Sequence, residues 1–234
     1  PILHKRKISS FFFIYSSPFK NEPDLLEIYR YFRHTCYEKI NFFYDDFFNI
    51  VKQNNVKKYN SCFKKFNQIN YLKNYKFYSR EDKWFRYLRD KYLSNFQYSE
   101  VMSRLMKEKN FIKENCYEKL WMTKSNLKNL DKMGHIVGLH SFYHPTLMEN
   151  KSYEDQKLEY GKNLNHLETV FGKNKIYSMA HPCGSYNKDS LKILNELNIK
   201  IGFRSNMEKK PNQSNLEIPR QDHTNILSKL GKAE

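Results

Sequence analysis

Between Thr123 and Phe203 the sequence alternates helix-length amphipathic runs with short apolar runs, and this alternation constrains the fold more than any other feature. Thr123 is placed to cap a helix carrying Leu127, Leu130 and Met133, and Gly134 supplies the residue that closes it. HIVGLHS (135–141) then reads as a strand. Ser152 opens a second helix through Leu158, Leu164, Leu167 and Phe171, which Gly172 ends. KIYSMAH (175–181) is a further strand, followed by a Pro-Cys-Gly-Ser turn (182–185). Asn187 caps a helix through Leu191, Leu194 and Leu197, and NIKIGF (198–203) and NLEIPR (215–220) read as the last strands. Strands joined through helices run parallel, because each crossover must return along the sheet before the next strand begins. An earlier run, ISSFFFIYS (8–16), is apolar throughout its centre and reads as a strand covered on both faces. The fold class is α/β. Sites on such sheets lie at the carboxyl ends of strands. His140, the turn at Pro182 and Arg220 all fall at such ends.

The sequence changes character from about Glu22 to Lys119. Glycine and proline nearly vanish, and apolar residues recur three and four apart: Leu25, Ile28, Tyr29 and Phe32 form one set, Phe85, Leu88, Tyr92 and Leu93 another. These are amphipathic helices. The whole of 1–234 is read as one domain, with a helical insertion over about 20–116. The 18 Phe and 18 Tyr supply its core, and Trp84, Phe85 and Tyr87 belong there. Trp84 or Trp121 could instead stack on a sugar ring; spacing leaves both readings open. The insertion carries no catalytic signature. Its Tyr44-Asp45-Asp46 run lies on a helix, where neighbouring carboxylates point about 100° apart, so it reads as a solvated face beside aromatic core.

Charge and cysteines exclude some classes. The formal net charge of +16 is compatible with a polyanion partner. The lysines are scattered among Asn, Tyr, Phe and Ile, a pattern that A/T-rich coding also produces. No finger of paired Cys and His and no aromatic RNP-like strand occurs, so no nucleic acid is expected. Cys36, Cys62, Cys116 and Cys183 form no CxxC pair. No apolar run approaches the roughly 18 residues of a bilayer span. The compartment and the oligomeric state stay open.

The chemistry centres on GLHSFYHP (138–145). His140 and His144 stand at a strand end, and a metal needs two or more neutral imidazoles converging on one point. The HExxH of metalloproteases is excluded, since Ser141 follows His140, and Pro145 argues against an unbroken helix. Spacing alone leaves open a metal site or two satisfied or solvated histidines.

Three ordered blocks carry a resemblance. Gly134–Leu147 (GHIVGLHSFYHPTL) resembles the H(S/T)xxH metal motif of polysaccharide deacetylases, the NodB-homology group or carbohydrate esterase family 4. AHPCGSYN (180–187) is similar to the family's proline loop, and LEIPRQD (216–222) to its closing Pro-Arg strand. ISSFFFIYSSPF matches the family's second strand, so the resemblance covers 1–19 and about 117–226. It implies a distorted β/α barrel of the NodB type with a large helical insertion. It further implies a hydrolase that removes acetyl groups, N-acetyl ahead of O-acetyl, from a sugar or polysaccharide in bacterial cell-surface polysaccharide synthesis. Such a member uses a divalent metal, most often Zn2+, to activate water. Carried across, His140 and His144 are metal ligands and the Cys183 backbone N–H is the oxyanion donor. Arg220 and Asp222 orient neighbouring groups, and Pro182, Gly184 and Tyr186 line the substrate loop.

The family's Asp-Asp pair, which supplies the base and the third ligand, precedes the strand matched here by 8–16. That pair and the first strand are therefore expected before Pro1, and the chain as it stands is expected to bind metal weakly and to have little or no activity. Cys183 replaces an aromatic, and no Leu-x-His acid motif is evident near the end. His181 and His223 could substitute by position, or be polar rim residues. Cys183 as a nucleophile has no base beside it in sequence. The alternative function is a degenerate, non-catalytic member that binds carbohydrate or a polyanion.

Overall fold

The computed structural model describes residues 2–73, 78–208 and 214–231. The chain divides into two compact units, residues 1–24 with 121–234, and residues 25–120. The first unit opens with α1 (Ile2–Lys5) and β1 (Phe11–Ile14).

The second unit is helical: α2 (Leu25–Thr35), α3 (Ile40–Asn54), α4 (Val56–Gln68), α5 (Arg80–Tyr87), α6 (Asn95–Glu108) and α7 (Tyr117–Leu120). Side-chain caps start three of these. Asn55 accepts from the Lys58 N–H, Ser79 from Asp82, and Ser94 forms a reciprocal capping box with Gln97. A π-helical turn, Leu88–Tyr92, continues α5. Aromatic rings fill the core: Phe43, Phe47 and Phe85 are at most 1% exposed, and Phe47 and Phe85 meet edge to face at 5.0 Å. Trp84 is buried and donates its indole N–H to the Tyr59 hydroxyl at 3.0 Å. Asp45 is exposed and Asp46 lies 3.7 Å from the Lys109 ammonium, so the Asp-Asp run occupies the solvated face expected of it.

The first unit resumes with α8 (Lys124–Lys132), β2 (Ile136–Leu139), α9 (Tyr153–Phe171), β3 (Ser178–Ala180), α10 (Lys188–Glu196), β4 (Ile201–Phe203) and α11 (His223–Lys229). Thr123, Ser152 and Asn187 cap α8, α9 and α10 through their side chains, and Gly134 and Gly172 take positive φ after α8 and α9. The four strands pair in parallel in the order β1-β2-β3-β4. Phe11 to Ile14 pair in register with Ile136 to Leu139, Leu139 with Met179, and Ser178 with Ile201. Leu127, Leu139, Tyr160, Leu167, Met179, Ile193 and Leu194 form the core between sheet and helices, all at 0% exposure. Each such apolar side chain contributes about 1.5–3 kcal/mol on burial.

Two expectations need correction. The sheet is open, not a closed barrel: among the described residues β1 and β4 are edge strands. It does curl, since the rings of Phe11 and Phe13 reach Phe203 at 5.1 and 5.5 Å without backbone pairing. Residues 215–220 do not form a strand either. Asn215–Glu217 is a 3-10 turn in which Ser214 and Glu217 cap one another, and only Ile218 bridges to Phe203. The local Ser/Glu box competes with the ladder, and Pro219 has no N–H to continue it.

Candidate active site

α9 buries Leu167 at 0% exposure but leaves Leu158 54% exposed, and Gln156, Glu159, Asn163 and His166, all at most 8% exposed, share the buried face. Their spacing places them on one side of the helix. This buried polar stripe holds the carboxyl ends of the first strands. Asn163 donates to the Ile14 carbonyl at 2.9 Å and to Ser16 Oγ at 2.6 Å, and its Oδ1 accepts the His140 backbone N–H at 2.9 Å. Glu159 Oε2 accepts the N–H groups of Phe142 and Tyr143 at 3.1 and 2.9 Å, with Lys151 3.7 Å from its other oxygen. The N–H groups of Ser16 and Ser17 close on the Phe142 carbonyl. Ser16 Oγ lies 2.8 Å from His166 Nδ1. Burial, then the charges of Lys20 and Lys124, hold His166 below the usual histidine pKa.

His140 is the first residue after β2. Its Nδ1 lies 2.8 Å from the Ala180 carbonyl at the end of β3. A carbonyl only accepts, so Nδ1 carries the proton and Nε2 keeps its lone pair. Burial pushes the His140 pKa down to about 4; the Ala180 bond opposes this, and the charges of His144, Arg220 and His181 add to it. The imidazole is therefore neutral near pH 7.

The chain then turns back on itself. Ser141 and His144 take φ of 67° and 58°, left-handed values that cost a residue bearing a Cβ about 1–3 kcal/mol unless its surroundings fix them. The His144 N–H donates to Ser141 Oγ at 3.0 Å, and Ser141 itself is wholly buried. This brings the His144 ring to 4.7 Å from the His140 ring, centroid to centroid. Tyr15, just beyond β1, packs against His144 at 5.6 Å, and Trp121 donates its indole N–H to the Tyr15 hydroxyl.

The proline loop, a 3-10 turn over Pro182–Gly184, follows β3. Cys183 has φ of 51° and Gly184 of 72°, and Gly184 sits so close to the Ser205 side chain that no Cβ fits there. The Gly184 N–H donates to His181 O at 3.0 Å and the Ser185 N–H to Pro182 O at 2.9 Å. The Cys183 side chain is exposed, and desolvation pushes its thiol pKa up, the opposite of an activated nucleophile. Tyr186 stacks on His181 at 4.1 Å and donates its hydroxyl to Glu217 at 2.7 Å. His181 is not a rim residue: it is 1% exposed, and its Nε2 donates to the Leu216 carbonyl at 2.8 Å. It ties β3 to the 215–217 turn.

Arg220 is exposed, its backbone N–H donates to Asn206 O at 3.2 Å, and its charge reaches His140. Asp222 lies 3.4 Å from His223 Nδ1, on a side chain 80% exposed. The fold thus gathers His140 and His144 at the ends of β1 to β3 and puts Asp222 with His223. Two adjacent imidazoles, that of His140 neutral with its tautomer fixed by a backbone carbonyl, match the chemistry of first ligands to a divalent metal. Among the described residues, no group of three or more His, Cys, Asp and Glu is arranged to hold a metal ion. The supports Asn163 and Glu159 were missed in the sequence. Their signal was polar residues at helical spacing where Leu158 falls outside.

Residues 94–202, a little under half of the chain, match the family model for polysaccharide deacetylase. No curated protein matches the chain. Among solved structures, the deacetylase domain of BpsB from Bordetella bronchiseptica is similar at 15% identity over 44% of this chain and 49% of that one, with a TM-score of 0.39. The chain thus spans about half the length of that domain. The Streptococcus pyogenes deacetylase PplD, solved with acetate, is similar at 19% identity over 67% of this chain and 79% of its own, with a TM-score of 0.42. A CE4 family pseudoenzyme from Bacillus anthracis is similar at 23% identity over 35% of this chain and 29% of its own, with a TM-score of 0.31. Among the described residues no helix is long and apolar enough to cross a membrane.

Proposed function

We propose that the polysaccharide deacetylase domain in this chain binds a divalent metal, zinc by its ligand chemistry, through His140 and His144, and takes an acetylated sugar or polysaccharide as substrate. N-acetyl is proposed ahead of O-acetyl, in bacterial cell-surface polysaccharide synthesis. The observation that carries the reading is the His140–His144 ring pair, at 4.7 Å, with His140 Nδ1 bonded to Ala180 O so that Nε2 is left as the donor atom. When bound, such a metal polarises a carbonyl and lowers the pKa of water.

The chain's own groups divide the remaining work. Asn163 and Glu159 fix the backbone on either side of the histidines, so the imidazoles meet a ligand without rearranging. The left-handed Cys183 offers its backbone N–H, in a loop shaped by Pro182 and Gly184, to a developing oxyanion. Arg220 supplies positive charge near His140, and Asp222 with His223 is the candidate for orienting groups at the rim. Tyr186 braces the loop through His181 and Glu217.

Zinc titration by calorimetry tests this. Saturable binding is expected, weakened by about tenfold or more in His140→Ala and in His144→Ala. Zinc binding that is unchanged in both variants would sink the reading. Acetate release from acetylated oligosaccharides, lost in the same variants, is the second readout. A non-catalytic carbohydrate- or polyanion-binding role is the other reading, favoured by one observation: among the described residues no third ligand joins the pair. Oligosaccharide binding that survives His140→Ala, with no acetate released by the unaltered chain, would select it.

A further inference from the structure

The helical unit holds a second concave site that the deacetylase reading does not use. A cavity of about 270 Å³ is lined by Lys58, Ser61, Cys62, Lys65, Tyr87, Lys91 and Tyr92. Lys58, Ser61, Cys62 and Lys65 are spaced three and four apart, so they share one face of α4. The opposite wall is the end of α5 and its π-helical turn, closed by the Leu93 N–H donating to Leu88 O at 2.9 Å. One wide turn re-aims the residues that follow it, and π turns are frequent at functional sites. Here that turn carries Lys91 and Tyr92. The Lys58 ammonium stands 5.1 Å from the centre of the Tyr92 ring.

The charges are what need a partner. Lys109, Lys151 and Lys157 each have a carboxylate within 4 Å. Among the described residues Lys58, Lys65 and Lys91 have none, and none of the residues lining the cavity is acidic. Three uncompensated ammoniums around one concavity repel one another and raise the local potential, which an entering anion relieves. Lysine ammoniums act on phosphate as point charges, and the Tyr87 and Tyr92 rings give apolar walls to whatever carries it. The volume falls just below the usual range of small-molecule sites, about 300–1,000 Å³. That suits one anionic group with a small carrier and is too small for a folded polymer.

We propose that this cavity between α4 and the end of α5 is an oxyanion site for a phosphate group borne on a small polar molecule of hexose size. The proposal stands independently of the histidine pair. The test is calorimetric titration of the full chain at low salt with glucose 6-phosphate, inorganic phosphate and glucose. Saturable binding of glucose 6-phosphate is expected, with glucose not binding. If inorganic phosphate binds equally well, the oxyanion alone is the ligand; if more weakly, the carrier adds contacts. Lys58→Gln, Lys65→Gln and Lys91→Gln should each weaken binding by roughly two- to fivefold, and the triple variant by about tenfold or more. The triple variant Lys52→Gln, Lys57→Gln and Lys64→Gln removes the same charge from exposed positions outside the cavity and should change binding less than twofold. In parallel, saturating glucose 6-phosphate should slow alkylation of Cys62 by iodoacetamide, read by mass spectrometry. Equal losses in the two triple variants would reduce the site to a generally basic surface and overturn the proposal. So would glucose binding as well as glucose 6-phosphate, no saturable phosphate binding, or an unchanged Cys62 rate.

Discussion

Asn163→Ala is the perturbation that tests the architecture of the histidine site most directly. Asn163 is 0% exposed and spends its side chain on three bonds, from the His140 N–H and to Ile14 O and Ser16 Oγ. Ser16 keeps a partner in His166 Nδ1 after the change. The His140 N–H and the Ile14 carbonyl lose theirs. Each orphaned buried group costs about 1–3 kcal/mol, so the variant should lose about 2–6 kcal/mol, towards the lower end if water fills the space. That is a large share of a typical domain stability of about 5–15 kcal/mol. Asn163→Asp is the sharper variant. Its carboxylate still accepts from His140 but cannot donate to Ile14 O, so two oxygens face each other. The carboxyl pKa of the folded variant must then rise above the ordinary value of about 3.9. The deficit is therefore smallest below about pH 4 and grows as pH rises through the folded-state pKa. Hydrogen exchange of peptides covering 11–17 and 136–144 reads the local effect. Exchange in the alanine variant should quicken by about 30-fold or more, since 1.4 kcal/mol is tenfold. An alanine variant within threefold of the unaltered chain, or an aspartate deficit equal at pH 4 and pH 7, would refute the reasoning.

Gly138→Ala should destabilise the first unit by about 1–3 kcal/mol, because the new Cβ would stand 2.6 Å from Ser178 O and 2.9 Å from Phe13 Cδ1, and the carbonyl cannot rotate aside; an unchanged Tm would count against the strand spacing. His166, held below its ordinary pKa of 6.5 by burial and by Lys20 and Lys124, binds fewer protons folded than unfolded. Its contribution to stability is complete above about pH 6.5 and is lost as pH falls through the folded-state value, so an NMR titration midpoint at or above 6.5 contradicts this account. Trp84→Ala empties a 3% exposed site packed at 5.0 Å by both Phe63 and Phe66 and should cost about 3–5 kcal/mol in urea unfolding; a loss below 1 kcal/mol would mean the aromatic cluster is not a core.

Local signals are legible in this sequence and non-local ones are not. Thr123, Ser152 and Asn187 each cap the helix expected of them, and Gly134 and Gly172 end theirs, because a cap is settled within about four residues. The supposed strand at 215–220 failed for the same reason in reverse: Ser214 and Glu217 satisfy each other locally, and the pattern of apolar residues could not show it. Closure of the sheet is a pairing between β1 and β4, far apart in sequence, and nothing in either strand declares whether its free edge finds a partner.

The histidine pair divides along the same line. His140 and His144 announce themselves by residue type over four positions, yet that spacing holds equally for two solvated side chains. What fixes the geometry of the pair is supplied from a distance. The Ala180 carbonyl that sets the His140 tautomer lies 40 positions away, and the Ile14 carbonyl that anchors Asn163 lies 149 away. Neither contact depends on the side chain at position 180 or 14, so no substitution pattern there would reveal it. The visible trace of this support is instead the cost borne by α9, which buries Gln156, Glu159, Asn163 and His166 while exposing Leu158. Burying polar groups is unfavourable unless each is bonded, so a helix that turns such a stripe inward is holding something in place. In this chain it holds the ends of β1 and β2 and the turn that carries His144 back to His140.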